Sequence, residues 1–301
     1  MKSRRRAPKL IDRALLSRWP LPKLPENADK SARGDVLVVG GSRSVPGAVL
    51  LAGEAALRSG SGRVRIATAR SAAAALAVAF PEARVLGVPE TRAGELDLSV
   101  RNALTKELTQ SDAVLVGPGM FDAGAASALY RRAIGSSCRA QWIVDAAALR
   151  ILSKGRPLEQ GSLQGVIATP HAGEMAELWS CSIRQVHANP LEIAFEAARS
   201  FGITLVLKGS RSFIVAPDGT AFINTAGNPG LATAGSGDVL AGIISGLAAR
   251  GAEPLQAAVW GVYLHALAGV RLARQRGPLG YLARELAGEV PALLEASGRR
   301  R

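Results

Sequence analysis

Cysteine is almost missing from this chain of 301 residues: it has two, Cys138 and Cys181, with no Cys-x-x-Cys spacing, and histidine stops at three. That scarcity excludes a disulfide-stapled secreted scaffold and a zinc-ligand cluster, and points to a reducing compartment. No apolar run reaches the about 18 residues of a membrane-spanning helix, and the basic N-terminus runs into Ile11-Asp12-Arg13 instead of an apolar signal core. A soluble, cytoplasmic protein with no membrane partner is expected. Acidic residues are also few, 24 against 37 Lys and Arg, for a net charge of +13. Eight of those charges belong to the ends, on Lys2, Arg4, Arg5, Arg6, Lys9 and Arg299 to Arg301, leaving +5 for residues 10–298. Aromatic residues are 4% of the chain and none is interleaved with these arginines, so nucleic acid, which needs stacking platforms beside its phosphate contacts, is not the expected partner. A solvated arginine-rich surface, or a positive field that welcomes anionic substrates, accounts for the charge more simply.

What the chain does have is core material. With 48% hydrophobic residues, its length suits one large α/β domain. The expected division is a basic N-terminal extension over residues 1–29, a catalytic domain over 30–296 and a basic tail over 297–301. Asp35-Val36-Leu37-Val38-Val39-Gly40 reads as a parallel strand buried on both faces. Further strands are expected at Arg63 to Ala67, Ala83 to Val88, Ala113 to Val116, Trp142 to Asp145, Val166 to Ala168 and Ile203 to Leu207. Helices are expected from Pro46 to Gly60, then over Ser71 to Phe80, Ser99 to Leu108, Ala125 to Ile134, Gly173 to Trp179, Pro190 to Phe201, Asp238 to Arg250, Pro254 to Gln275 and Leu282 to Glu295. Such alternation means βαβ units and a doubly wound, mostly parallel sheet with helices on both faces. Phe213 to Val215 and Ala221 to Ile223, joined through Asp218-Gly219, read as a short antiparallel hairpin at the edge of that sheet.

Ligands of an open α/β sheet gather beyond the carboxyl ends of its strands. Polar or glycine-rich turns stand at five such ends: Gly40-Gly41-Ser42, Gly117-Pro118-Gly119, Asp145, Thr169-Pro170-His171-Ala172-Gly173-Glu174 and Lys208-Gly209-Ser210. Singly each has a bland explanation: tight turns for the glycines, helix caps for His171 and Asp145, a solvated strand end for Lys208. The longest signal is Asn228-Pro229-Gly230-Leu231-Ala232-Thr233-Ala234-Gly235-Ser236-Gly237-Asp238, a small-residue loop feeding an apolar helix. Free amides and the helix dipole favour a phosphate there, and Asp238 beside it is placed to take a proton from an attacking hydroxyl. An N-capping Asp after a glycine turn is the plainer alternative for that residue. His171 and Glu174, three apart on one helical face, form a pair able to orient water or a magnesium ion near phosphate. A dinucleotide fingerprint fails on spacing at Gly40 to Gly47, and a Walker loop fails because Lys208 is preceded by Leu207 in place of glycine and followed by Gly209 in place of Ser or Thr.

This ordered series, with Pro46-Gly47-Ala48, Leu57-Arg58-Ser59-Gly60-Ser61-Gly62 and the segment Gly227 to Gly242, resembles the ribokinase-like carboxy-terminal module of the nicotinamide-nucleotide repair proteins, NAD(P)H-hydrate dehydratase. The likeness spans about residue 30 to residue 265. It implies a ribokinase-like fold and a stand-alone dehydratase that restores NADH or NADPH from the S form of its hydrate, NADHX or NADPHX. The co-substrate would be ADP, or ATP, with Mg2+, and the protein a homo-oligomer such as a tetramer. It further implies that Ala48, Gly119 and His171 contact the hydrated dinucleotide, and that Lys208, Gly209, Ser210, Arg211, Ser212, Ser236 and Gly237 hold the adenosine nucleotide. Asp238 would face the substrate hydroxyl as base, and Glu174 would bind the metal directly or through water.

The chain departs from the family pattern in places. Asp145-Ala146-Ala147-Ala148-Leu149 lacks the second carboxylate of the usual Asp-Ala-Asp-Ala-Leu, Ser236 replaces a usual threonine, and the late His-Gly and Gly-Asp pairs appear as His265-Ala266 and Gly269-Val270. Two rival readings stand beside the dehydratase: a small-molecule hydroxyl kinase of the same fold, which would release a stable phosphorylated product, and an inactive protein that binds nucleotide or nucleic acid.

Overall fold

The computed structural model describes residues 7–24, 27, 29–134, 138–152 and 165–298. Its strands are β1 (Lys9–Leu10), β2 (Asp35–Val39), β3 (Arg63–Ala69), β4 (Arg84–Val88), β5 (Ala113–Val116), β6 (Gln141–Val144), β7 (Val166–Ala168), β8 (Thr204–Leu207), β9 (Ser212–Val215) and β10 (Ala221–Asn224). Among the described residues they form one sheet in the order β1-β10-β9-β8-β7-β6-β5-β2-β3-β4. From β4 to β8 every pairing is parallel, whereas β9 runs antiparallel to both β8 and β10. The sheet is therefore doubly wound and mostly parallel, as expected, with one antiparallel hairpin near its end. That hairpin is not the last element, because β1 pairs outside β10, Lys9 with Phe222 and Leu10 with Ile223.

Successive residues of a strand point to opposite faces, and both faces are covered here. Val36 and Val38 join the core on one side, Leu37 and Val39 the core on the other. This is why the central strands read as unbroken apolar runs instead of alternating ones. The first face carries α2 (Gly47–Arg58), α3 (Arg70–Ala79), α10 (Ser236–Ala249), α11 (Pro254–Arg276) and α12 (Ala283–Gly298), while the second carries α6 (Gly124–Ile134), α7 (Ala172–Trp179) and α9 (Pro190–Phe201). Chain order moves outward from β2 to β3 and β4, then returns to place β5 on the other flank of β2. That reversal makes a switch point between β2 and β5, where a crevice opens above the strand ends.

Several elements differ from the expected ones. The helix expected over Ser99 to Leu108 is two short ones, α4 (Val100–Ala103) and α5 (Thr105–Thr109), parted at Leu104. Two six-residue helices, α1 (Arg13–Arg18) and α8 (Ile183–Ala188), are too short for their periodicity to show; each is started by a side-chain cap, Asp12 on the Leu15 amide and Ser182 on the Gln185 amide. The stretch expected as a separate extension contributes β1 and α1 to the domain, with Ile11 and Leu16 in its core. Trp19 stacks on Phe222 with ring centroids 5.7 Å apart, and its carbonyl accepts a hydrogen bond from Trp260 Nε1 at 3.0 Å. The charged tips at residues 1–6 and 299–301 lie outside the described residues.

Candidate active site

The floor of the crevice is main chain packed on main chain. Gly41 N donates to Pro118 O at 2.7 Å and Ser42 N to Gly119 O at 2.9 Å, tying the turn after β2 to the turn after β5. Gly119 takes φ +68°, and a Cβ on it would lie 2.5 Å from Val45 O and 3.0 Å from Ala48 Cβ. Only glycine is compatible with both that conformation and that approach. Two of the residues expected to contact substrate, Ala48 and Gly119, are thus side by side.

Next along the rim, the ends of β6, β7 and β8 bring charge together. Asp145 is 3% exposed and its Oδ1 accepts from Thr169 Oγ1 at 2.7 Å and from Lys208 Nζ at 2.8 Å. It caps nothing: the 3₁₀ turn that follows, Ala146–Ile151, receives no hydrogen bond from its side chain. Lys208 is held at the end of β8 by its own amide, which donates to Pro170 O at 2.8 Å, and its ammonium also lies 3.7 Å from Glu174 Oε2. His171 is the N-cap of α7: its Nδ1 accepts from the Gly173 and Glu174 amides while Glu174 Oε2 accepts from the His171 amide at 2.7 Å. The capping role and the strand-end position expected for His171 hold together, and the capping box aims Glu174 inward at Lys208.

Helix α10 completes the cluster. Gly235, in the left-handed region at φ +86°, is its N-cap, so the helix begins at Ser236, two residues before the expected start, and Asp238 is its third residue. The amides of Gly237 and Asp238, second and third in the helix, have no partner within it. A Cβ on Gly237 would lie 3.5 Å from Lys208 Nζ and 3.8 Å from Asp145 Oδ2, so the first turn closes directly over the charges. The loop leading in is braced: Asn228 Oδ1 accepts from the Gly230 amide and from Tyr281 Oη, each at 2.9 Å.

These surroundings decide protonation. Burial pushes the Asp238 carboxyl up, the Asp145 carboxylate pushes it further, and Lys208 opposes both, leaving a pKa of about 7. Burial works against the Lys208 ammonium, but Asp145, then Glu174 and Asp238, outweigh it and hold its pKa above the ordinary lysine value. The site therefore joins a carboxylate that gains and loses its proton near neutrality to a permanently charged ammonium and a set of free amides. A general base poised near working pH beside an anion-binding helix start suits proton removal coupled to transfer of a phosphoryl group.

Of the other expected residues, Gly209, Ser210 and Arg211 are exposed on the turn between β8 and β9, and Ser212 is half-buried at the start of β9. Among the described residues no group of three or more His, Cys, Asp and Glu side chains is arranged to hold a metal ion, so Glu174 is not part of a preformed metal cluster of that kind. A cleft of about 630 Å³ opens beside His171 and Glu174, walled by Met120, Phe121, Ala147 and Ile183. Sequence reasoning placed Asp145 at the rim without its partners, and it passed over Thr169 as the donor that fixes it. It also gave no role to His265, whose Nε2 lies 3.0 Å from Ser236 Oγ.

Comparison with known proteins identifies the family and the fold. Residues 36–292 match the model of a family described as NAD(P)H-hydrate dehydratase. The chain is 45% identical over 288 residues to the ADP-dependent (S)-NAD(P)H-hydrate dehydratase of Xanthomonas campestris pv. campestris, covering 95% of this chain and 96% of that protein. It is 39% identical to the bifunctional NAD(P)H-hydrate repair enzyme of Moorella thermoacetica, matching 94% of itself to 54% of that longer protein. Among solved structures, the ADP/ATP-dependent NAD(P)H-hydrate dehydratase of Bacillus subtilis, co-crystallised with ATP/Mg2+, superposes with a TM-score of 0.83 at 28% identity, over 96% of this chain and 98% of that one.

Proposed function

Because the chain belongs to the NAD(P)H-hydrate dehydratase family, we propose that it converts the S form of hydrated NADH or NADPH back to the intact cofactor, consuming ADP and releasing AMP and phosphate. The observation that carries this reading is Asp238, with its pKa near 7, in the first turn of a helix whose open amides close over Lys208.

The chemistry follows from those parts. In the hydrate a hydroxyl sits on the ring carbon next to nitrogen, and hydroxide is too poor a leaving group to depart unaided. Asp238 takes the hydroxyl proton as its oxygen attacks the terminal phosphorus of ADP, and the bond to the departing AMP oxygen breaks. The Gly237 and Asp238 amides and the dipole of α10 stabilise charge on the phosphoryl group in transit. The ring nitrogen lone pair then expels phosphate, and loss of a proton from the adjacent ring carbon restores the dihydronicotinamide. Ala48, Gly119 and His171 line the path to that ring, while Lys208, the turn from Gly209 to Ser212 and Ser236 flank the nucleotide. Asp145 Oδ1 and Glu174 Oε2 stand 2.8 and 3.7 Å from the Lys208 ammonium, and with no three-ligand cluster among the described residues a divalent cation would arrive on the phosphates of the nucleotide itself. Magnesium so held, with Glu174 or Asp145 contributing at most a ligand or a bound water, would neutralise the phosphate oxygens. The scarcity of cysteine suits the cytoplasm, and a homo-oligomer is the expected assembly.

The test mixes protein, magnesium, ADP and hydrated NADH and follows recovery of dihydronicotinamide absorbance together with phosphate release. Recovery should require nucleotide, and Asp238→Ala should lower kcat by about 10²–10⁴-fold. Turnover of Asp238→Ala close to that of the parent protein would remove Asp238 as the base. Accumulation of a phosphorylated hydrate in place of NADH would favour the kinase alternative.

A further inference from the structure

His265 stands on α11, and no step of the reaction above uses it. Its Nε2 is 3.0 Å from Ser236 Oγ, and Ser236 is the buried first residue of α10. Four residues on, Gly269 meets the beginning of the same loop: a Cβ there would lie 2.7 Å from Leu231 Cγ, in the 3₁₀ turn Pro229–Leu231. Residues i and i+4 share a helical face, so one face of α11 touches the phosphate loop where it starts and where it becomes helix. Burial and the nearby Lys208 charge, against a hydrogen bond to the Ser236 backbone, hold the imidazole pKa down at about 4. The ring is neutral under working conditions and offers one lone pair and one N–H, never a second positive charge.

We propose that His265 is a positioning residue for the nucleotide: by fixing Ser236 it sets the first turn of α10 so that the Gly237 and Asp238 amides face the phosphate, while it touches no ligand itself. For the identity of the nucleotide this rests on the function proposed above. The first turn of a helix is where fraying is least opposed, and Gly235 and Gly237 supply no side chain to resist it. One neutral hydrogen bond in that place changes a binding constant by about 2- to 10-fold.

ADP binding by calorimetry and steady-state kinetics are measured on the full chain for His265→Ala, His265→Gln, Ser236→Ala and the double variant His265→Ala/Ser236→Ala. His265→Ala should weaken ADP binding and raise the ADP KM by about 2- to 10-fold, with less than about a twofold change in the KM of the hydrate. His265→Gln, whose amide reaches for the same hydroxyl, should recover part of the loss, and the double variant should bind ADP no worse than Ser236→Ala alone. A lower Tm with unchanged ADP binding would make His265 a packing residue and overturn the proposal. Multiplying effects in the double variant would also overturn it, since His265 would then not act through Ser236. Should His265→Ala fail to fold, the test passes to His265→Gln and Ser236→Ala, and unchanged ADP binding in Ser236→Ala sinks the proposal. Failure of the dehydratase reading looks different: the parent protein binds ADP yet restores no dihydronicotinamide, while the binding comparison among variants still reports on His265.

Discussion

Asp238 shows how little of a residue's chemistry resides in the residue. An ordinary aspartate is ionised at pH 7 and a poor proton acceptor; burial and the Asp145 carboxylate lift this one to about 7, against the pull of Lys208. A base works in its ionised form, so kcat/KM should rise with pH through about 7 and level off above it. Lys208→Met removes the charge that lowers the Asp238 pKa, so the rising limb should move to higher pH; a pH–rate profile for both proteins checks this. A limb that stays in place would mean that Lys208 acts on the nucleotide alone. The candidates were readable because glycine loops and strand ends leave marks in sequence. Their partnerships were not: Thr169 and Lys208 reach Asp145 across separations of 24 and 63 residues, and His265 meets Ser236 across 29. Spacing carries no sign of pairs that exist only after the sheet has formed.

At the scale of elements, α10 joins core to chemistry. It is apolar almost all round because it lies buried between the sheet and its neighbouring helices, with every residue from Val239 to Ala249 buried. Its glycines allow this: a Cβ on Gly242 would overlap the Ala52 carbonyl oxygen of α2, and one on Gly246 would lie 2.9 Å from Ser59 Cβ. Gly242→Ala should therefore cost about 1–3 kcal/mol of stability through overpacking, since backbone cannot step aside as a flexible side chain can. Displacing α10 from α2 also moves its first turn, so kcat should fall with stability; urea unfolding and turnover of the same variant test the two together. Normal activity in a destabilised Gly242→Ala would show that the first turn is held independently of the helix body. Sequence reasoning found this helix from its composition but started it at Asp238. The left-handed conformation of Gly235, which admits Ser236 and Gly237 to the helix, is a backbone property that three small residues in a row do not specify.

The whole molecule has to close a ten-stranded sheet, among its described residues, at an end where the hairpin would leave β10 unpaired. The N-terminal segment performs that closure. It adds β1 beside β10, lays Trp19 on Phe222 and puts Leu16, with no exposed surface, into the core shared by α10, α11 and α12. Covering an edge strand removes a template for unwanted pairing, which explains why so short a strand is worth ordering. Its shortness hid it: two residues of β1 and six of α1 fall below the length at which alternation or helical periodicity can be read, and the basic run before them suggested an appendage. If the segment is part of the fold, Leu16→Ala leaves a cavity in that core and should cost about 2–5 kcal/mol. The site depends on the ends of β2 and β5 to β8, and β1 lies three strands beyond β8, so the ADP KM of the folded variant should stay at its parent value. Urea unfolding followed by tryptophan fluorescence, alongside ADP kinetics, measures both quantities. An unfolding midpoint that does not move would return residues 9–19 to the status of an appendage.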